Sequence, residues 1–386
     1  MKPSDPVTGS KLPATGTSIF TVMSQMALEC GAINLAQGFP DFEVDPDLVE
    51  RVAFYMKKGY NQYALSHGIP GLRENIARMI DRQWGVFVDF RDQLTITSGA
   101  TEALYAAISV VTNPGDEVLL FDPAYDSYDP VIRLNGGIPR HINLQFPDYS
   151  LPWDQIDAAI SPRTKAMVIN SPHNPTGTVL SHDDMLRIQE LAIRHNLFVI
   201  SDEVYCHLVY DGVAHRSVLH YPALANRSMA VFSFGKTFHT TGWKMGYAVA
   251  SPAITHELRK IHQFLTFSVH TPTQYALADF LGQEEKYLSL PSFFSQKRDR
   301  FLAGLTGTLF RARPSAGTYF QLVSYEGVSS LGDVEMAEKM TKEMGVASIP
   351  VSVFHEDQTD KKLLRFCFAK TDETLQKAAK LLQSIR

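Results

Sequence analysis

The chain lacks most of the features that make a function easy to read. Its 386 residues include only three cysteines, Cys30, Cys206 and Cys367, far apart and without a C-x-x-C pair. This usage argues against a zinc site or a disulfide framework, so no metal is expected, and it fits a reducing cytoplasm. No apolar run approaches the ~18 residues of a membrane span, and the first sixteen residues have no apolar core of the export type. Positive charge is not in excess: 36 Lys and Arg stand against 41 Asp and Glu, a net charge of −5. A basic face for nucleic acid is therefore not expected. H-E-x-x-H, G-x-S-x-G and G-x-G-x-x-G are all missing, which removes the simplest zinc hydrolases, serine hydrolases and dinucleotide binders. Gly235-Lys236-Thr237 follows an apolar stretch, but Ala230 stands where a phosphate loop needs glycine.

What is present is a hydrophobic fraction of 45%, typical of a folded enzyme, in a chain long enough for more than one domain. Residues 1–16 read as an arm with little structure of its own. Ser18–Glu29, Asp47–Lys58 and Gly71–Trp84 have helical spacing. From residue 93 strands and helices alternate: strands are expected at Leu94–Thr97, Val118–Phe121, Ala166–Asn170, Leu197–Ser201 and Val231–Phe234, with helices at Ala103–Val111 and His182–His195. Ser181 and Asp184 form a capping-box pattern at the start of the latter. Alternation of this kind predicts an α/β fold with a mostly parallel sheet flanked by helices. The style changes near residue 290, where helices surround strands expected at Tyr319–Val323, Val346–Val353 and Leu363–Phe368. This predicts three parts: an N-terminal arm and part of a small domain over 1–45, a large domain over 46–289, and a small α+β domain over 290–386.

Open parallel sheets place their sites at the C-terminal ends of strands. Four such ends deliver Tyr125, Asn174, Asp202 and Lys236. Lys236 lies where Val231–Phe234 gives way to a Gly-rich turn; on the floor of a cleft its ammonium is destabilised and the neutral amine becomes a nucleophile able to form Schiff bases with aldehydes. A pyridoxal phosphate bound there needs an anion at its ring nitrogen, and Asp202 is the candidate. Asn174 and Tyr205 suit its ring hydroxyl, and Tyr125 its face. The amides of Gly99, Ala100 and Thr101 at a helix start, with Ser233 and Lys244, suit its phosphate. Arg365, in the apolar strand Leu363–Phe368, suits a substrate carboxylate. Judged alone, each has a plain alternative: Lys236 a solvated turn lysine, Asp202 a surface or capping aspartate, Ser98–Glu102 a capped helix start, Arg365 a snorkelling edge-strand residue.

Together the blocks resemble a known family. Asn34–Phe42 (NLAQGFPDF), Asn61–Ala64 (NQYA), Ser98–Leu104 (SGATEAL), Phe121–Tyr128 (FDPAYDSY), Asn170–Gly177 (NSPHNPTG), Ser201–Tyr205 (SDEVY), Ser233–Tyr247 (SFGKTFHTTGWKMGY) and Leu363–Lys370 (LLRFCFAK) span nearly the whole chain. The sequence is similar to the fold-type I, class I/II aminotransferases, within them to the kynurenine/glutamine and bacterial methionine branch. The resemblance implies pyridoxal 5′-phosphate on Lys236, Asp202 on the ring nitrogen, Asn174 and Tyr205 on the ring hydroxyl, and Ser233 and Lys244 on the phosphate. It also implies Tyr63 reaching the phosphate of a neighbouring subunit, hence a homodimer, and Gly38, Asn174 and Arg365 on the substrate carboxylate. Many class I enzymes have arginine where Lys244 stands, and Phe or Trp where Tyr125 stands.

Phe20, Phe39 and Tyr125 are expected to form an apolar wall favouring methionine or aromatic amino acids, with 2-oxo acids as acceptors. No second arginine for a dicarboxylate is evident. Two other functions share the sequence: a carbon–sulfur β-lyase acting on cysteine conjugates at the same site, and a regulatory ligand-binding protein on this fold. The second is disfavoured because the site blocks begin near residue 34, which leaves no room for a DNA-binding domain ahead of them.

Overall fold

The computed structural model describes residues 9–385. Residues 1–8 of the expected arm, and Arg386, lie outside that range. A helix over Ile19–Cys30, capped by the Ser18 hydroxyl, leads into the two-residue strand β1 (Ile33–Asn34). Seven strands then form one sheet: β2 (Leu94–Thr97), β3 (Glu117–Asp122), β4 (Ile138–Asn143), β5 (Thr164–Asn170), β6 (Phe198–Asp202), β7 (Ser228–Ser233) and β8 (Gly246–Ala250). Their order is β2-β8-β7-β6-β5-β3-β4, and only β8 runs against its neighbours. Helices cover both faces, so β2, β3 and β8 are buried at every position. This is the expected α/β architecture.

A second, three-stranded antiparallel sheet joins β9 (Phe320–Ser324), β11 (Ile349–Pro350) and β12 (Leu363–Cys367) in the order β11-β12-β9. β10 (Val346–Ala347) pairs in parallel with β1, which ties the N-terminal segment to the C-terminal part of the chain.

Several local expectations change. The stretch Val346–Val353 is not one strand: β10 and β11 are two residues each, and a 3₁₀ turn over Ser352–Phe354 follows Pro350, which cannot donate to a ladder. β4 alternates weakly in exposure at the sheet edge, and β8 lies inside the glycine-rich block around Lys244, so neither stands out by pattern. The helix read as starting at Ala103 begins at Gly99. Ser98 does not cap it by its side chain; the Glu102 carboxylate instead accepts the Ser98 N–H at 2.5 Å. Strand β7 stops at Ser233, and Lys236 lies in a single helical turn, Phe234–Thr237, closed by the Phe238 N–H on the Phe234 carbonyl. The capping box of Ser181 and Asp184 is present.

Candidate active site

β5 and β6 end side by side, with Asn170 opposite Asp202. The Asn170 amide donates to the Asp202 backbone carbonyl at 2.8 Å, and its oxygen accepts the Asn174 N–H at 2.8 Å. One asparagine thus fixes the Ser171–Gly177 loop against the strand that carries Asp202. A cavity of about 240 Å³ opens at these strand ends. Its lining holds Phe20, Gly38, Gly99, Ala100, Thr101, Tyr125, Asn174, Asp202, Tyr205, Ser233, Lys236, Lys244 and Arg365. Every candidate residue is therefore in one place except Tyr63 and Phe39; Phe39 does not line the cavity and packs against Lys370, whose Nζ lies 4.4 Å from its ring centre.

Tyr63 is 82% exposed and packs edge-on against Phe267, with ring centres 5.1 Å apart. Phe264 is 88% exposed on the same helix–loop region.

The Asp202 carboxylate is buried and meets no cation within ion-pair distance among the described residues. Tyr128 O–H donates to it at 2.6 Å and the Val204 N–H at 3.3 Å. Burial pushes its pKa up to about 6, against the pull of those two donors and of Lys236. Lys236 is half-buried and lines the cavity. Burial brings its pKa down to about 8, so the neutral amine is available near neutral pH. Its Nζ donates to Tyr319 Oη at 3.0 Å and to the Gly38 carbonyl at 3.4 Å.

Arg365 is 0% exposed. Its guanidinium donates to Asn174 Oδ1 at 2.8 Å and to the Ala36 carbonyl at 2.9 Å, and its Nε has no partner. Three aromatic rings surround it: Phe320 at 3.9 Å, Phe20 at 5.0 Å and Phe354 at 5.4 Å. Burial lowers its pKa to about 10, which still leaves it charged. A buried cation held only by neutral groups is costly unless an anion joins it.

At the opposite end, Lys244 Nζ donates to Thr101 Oγ1 at 3.1 Å. Gly99, Ala100 and Thr101 are the first residues of their helix, so their N–H groups have no carbonyl partner within it. Gly99 has φ +71°, and a Cβ there would meet the Lys244 side chain at 3.3 Å. At Gly38 a Cβ would lie 2.6 Å from the Phe320 ring, so only glycine lets that backbone approach the cavity.

Sequence reading singled out Asn170 beside Asn174 as held by the rigid Ser171–Gly177 loop, but missed Tyr128, Tyr319, Phe320 and Phe354 as contributors. Tyr128 lies inside a block already singled out; the other three are non-local and carry no pattern that points to the cavity.

The sequence matches the family described as aminotransferase class I and II over residues 31–382. The chain belongs to that family. It is 49% identical over 377 residues to the methionine aminotransferase of Escherichia coli (strain K12), covering 97% of this chain and 98% of that one. It is 33% identical over 404 residues to the kynurenine–oxoglutarate transaminase of Dictyostelium discoideum, covering 94% and 93%. The crystal structure of YbdL from Escherichia coli, described as identifying a methionine aminotransferase function, superposes with a TM-score of 0.96 at 49% identity, covering 98% and 99%. Family members depend in general on pyridoxal phosphate, and they act on amino acids and 2-oxo acids.

Proposed function

We propose that this aminotransferase uses pyridoxal 5′-phosphate on Lys236 to move the amino group of methionine, glutamine or an aromatic amino acid to a 2-oxo acid. One observation carries the reading: a buried carboxylate and a buried guanidinium, neither with an ionic partner among the described residues, face one cavity beside a lysine of lowered pKa. The residues fit the cofactor. Asp202 offers the anion its ring nitrogen needs, Tyr125 a flat face, and Asn174 and Tyr205 polar groups for the ring hydroxyl. Lys244, Ser233 and the amides of Gly99, Ala100 and Thr101 offer a phosphate cup. When bound, the cofactor supplies an electron sink for the substrate Cα.

The protein's own part is binding, orientation and proton transfer. Tyr128 and the Val204 amide hold the Asp202 carboxylate in place, and pairing with a ring cation offsets the burial that raises its pKa. Lys236 carries the proton to and from Cα. Arg365, with its free Nε, and Asn174 receive the substrate carboxylate together with the backbone at Gly38. The cavity's cations are Lys236, Lys244 and Arg365. Among the described residues no second arginine lines the cavity to receive a side-chain carboxylate, which supports an apolar or neutral donor. Phe20 and Tyr125 supply the wall.

The proposal extends to organisation. Residues 1–45 and 290–386 act as one unit and 46–289 as the other; the β1–β10 pair and the Cys367 N–H on the Leu35 carbonyl support this division. Exposed Tyr63 is assigned to the phosphate of a second subunit, so the homodimer is the active unit. Three free thiols support a cytoplasmic setting.

The test is a half-reaction screen. Holoprotein is mixed with each amino acid in turn and the visible absorbance of the lysine-bound cofactor is followed. Methionine, glutamine and aromatic amino acids should bleach it faster than aspartate. Fastest bleaching by aspartate overturns the donor assignment, and no bleaching by any amino acid overturns the transaminase reading. Pyruvate released from cysteine conjugates without an oxo-acid acceptor would assign the site to β-elimination.

A further inference from the structure

The hydroxyl of Tyr319 sits between two groups that the proposed function uses for different purposes. Tyr319 is fully buried, one residue before β9. Its O–H donates to the Gly38 carbonyl at 2.7 Å and its oxygen accepts from Lys236 Nζ at 3.0 Å. The same Gly38 carbonyl lies 3.4 Å from Nζ. The ring is held edge-on by Tyr205 at 5.1 Å and by Phe320 at 4.9 Å, so the hydroxyl has little freedom to turn away.

A neutral amine has two N–H bonds and one lone pair. With one N–H on Tyr319 Oη and the other on the Gly38 carbonyl, the lone pair faces away from both and into the cavity. We propose that Tyr319 is a positioning residue that, with the Gly38 carbonyl, docks the free amine of Lys236 and aims its lone pair at the substrate Cα. The inference rests on the aminotransferase reading of the site and adds a residue to it. In the step it serves, the nitrogen lone pair takes the Cα proton and the electrons of the broken C–H bond stay on the substrate. The resulting ammonium keeps its hydrogen bond to Tyr319, which is stronger for a charged donor. Docking requires a free amine, so it forms only when the lysine is not tethered to the cofactor, the stage at which the amine must act as a base.

Tyr319 and Gly38 reach the amine from β9 and from the segment after β1, whereas Lys236 follows β7. The dock is therefore also a direct hydrogen bond between the two sheets' sides of the cavity.

The experiment compares wild type with Tyr319→Phe. In the cofactor-free full-length chain, reductive methylation of Lys236 by formaldehyde is measured against pH and located by mass spectrometry. The wild-type midpoint is expected near 8. Removing the acceptor disfavours the ammonium, so the variant's midpoint should fall by about one unit. In the holoprotein the first half-reaction should slow at least ~10-fold with a larger α-deuterium isotope effect, while cofactor content and amino-acid affinity stay near wild type. An unshifted midpoint overturns the proposal whatever the turnover. If Tyr319→Phe fails to fold, 3-fluorotyrosine at 319 keeps the ring and hydroxyl but weakens the acceptor; the midpoint should move the same way by less, and no movement overturns the proposal. A wild type that takes up no cofactor at Lys236 would sink the aminotransferase reading itself. A wild type that does, beside an unshifted variant, sinks only the role of Tyr319.

Discussion

The two sides of the cavity solve opposite electrostatic problems. On the seven-stranded sheet, Asp202 is a buried anion steadied by two donors, Tyr128 O–H and the Val204 N–H. On the three-stranded sheet, Arg365 is a buried cation steadied by two acceptors, Asn174 Oδ1 and the Ala36 carbonyl, and by aromatic faces. Neither is neutralised. Elsewhere in the molecule some buried charges do have ionic partners: Glu117 on Arg140 at 2.9 Å, and Arg298 on Asp211 at 2.6 Å. Arg73 and Asp333 are also buried without an ionic partner among the described residues, but neither lines the cavity; two unpaired buried charges of opposite sign facing one cavity suit a ligand with a cationic end and an anionic end. On the proposed function, the first side holds what stays and the second what comes and goes. Variants on the two sides should therefore fail differently.

The largest effect belongs to the group between them. Lys236→Ala should reduce transamination by about 10⁴-fold or more while the protein folds normally, as checked by single-turnover assays and circular dichroism. Wild-type turnover in that variant ends the assignment. Asp202→Asn should come next: cofactor still binds, but kcat falls by roughly 10²–10³-fold, because the ring loses the anion that keeps it electron-accepting. Arg365→Ala should break the pattern on the other side. KM for the amino acid should rise about 100-fold, roughly 2.7 kcal/mol, with cofactor content unchanged. If Arg365→Ala loses cofactor and Asp202→Asn raises KM, the division between the two sides is wrong.

The same division explains what could be read in advance. The sheet side was legible because each element ends at or near its candidate residue: β6 runs straight into Asp202, and Lys236 follows β7 by three residues. An apolar run followed by a polar residue is a local signal. The three-stranded side is assembled from distant pieces. Arg365 reaches the cavity because β12 pairs with β9 and because Leu35 and Ala36 bind its strand from the other end of the chain, 329 residues away for Ala36. Phe354 and Tyr319 arrive by tertiary packing alone, which no periodicity reports. The arginine could be named in advance, but its aromatic surround could not. Local geometry was also misjudged where tertiary contacts override it. The turn holding Lys236 is helical because the Phe234 N–H is taken by the Met245 carbonyl of the next strand segment and Phe238 then closes back on Phe234.

A smaller effect separates holding a charge from being one. Tyr128→Phe removes the closest donor to Asp202 and leaves the carboxylate itself. A hydrogen bond to a charged group is worth about 1.5–3 kcal/mol at most, so kcat should fall about 10-fold, well short of Asp202→Asn. Its direction on pH is fixed as well. The Tyr128 hydrogen bond lowers the Asp202 pKa, so the variant's carboxylate protonates at higher pH and the acid limb of kcat should move up. An unmoved acid limb would show that Asp202 does not titrate in the rate-determining state.

The smallest effect lies where the two sides meet. The Asp122 carboxylate, at the end of β3, accepts the Glu356 N–H at 2.8 Å, and the Ala124 N–H donates to the Phe354 carbonyl at 2.8 Å, so this strand end grips the segment carrying Phe354. His141 on β4 donates to both Asp122 and Asp129, at 2.8 and 3.0 Å. Burial opposes its charge, but the two carboxylates outweigh that and raise its pKa to about 9. A folded-state value above the unfolded 6.5 gives a contribution to stability that is complete below pH 6.5 and disappears as pH rises through about 9. Wild-type Tm should therefore fall between pH 7 and 10 more steeply than that of His141→Gln, by a few degrees. Because Phe354 faces Arg365, loosening this grip should also raise KM for the amino acid before it affects cofactor binding. Cofactor loss preceding the KM change would place the weak point on the sheet side instead.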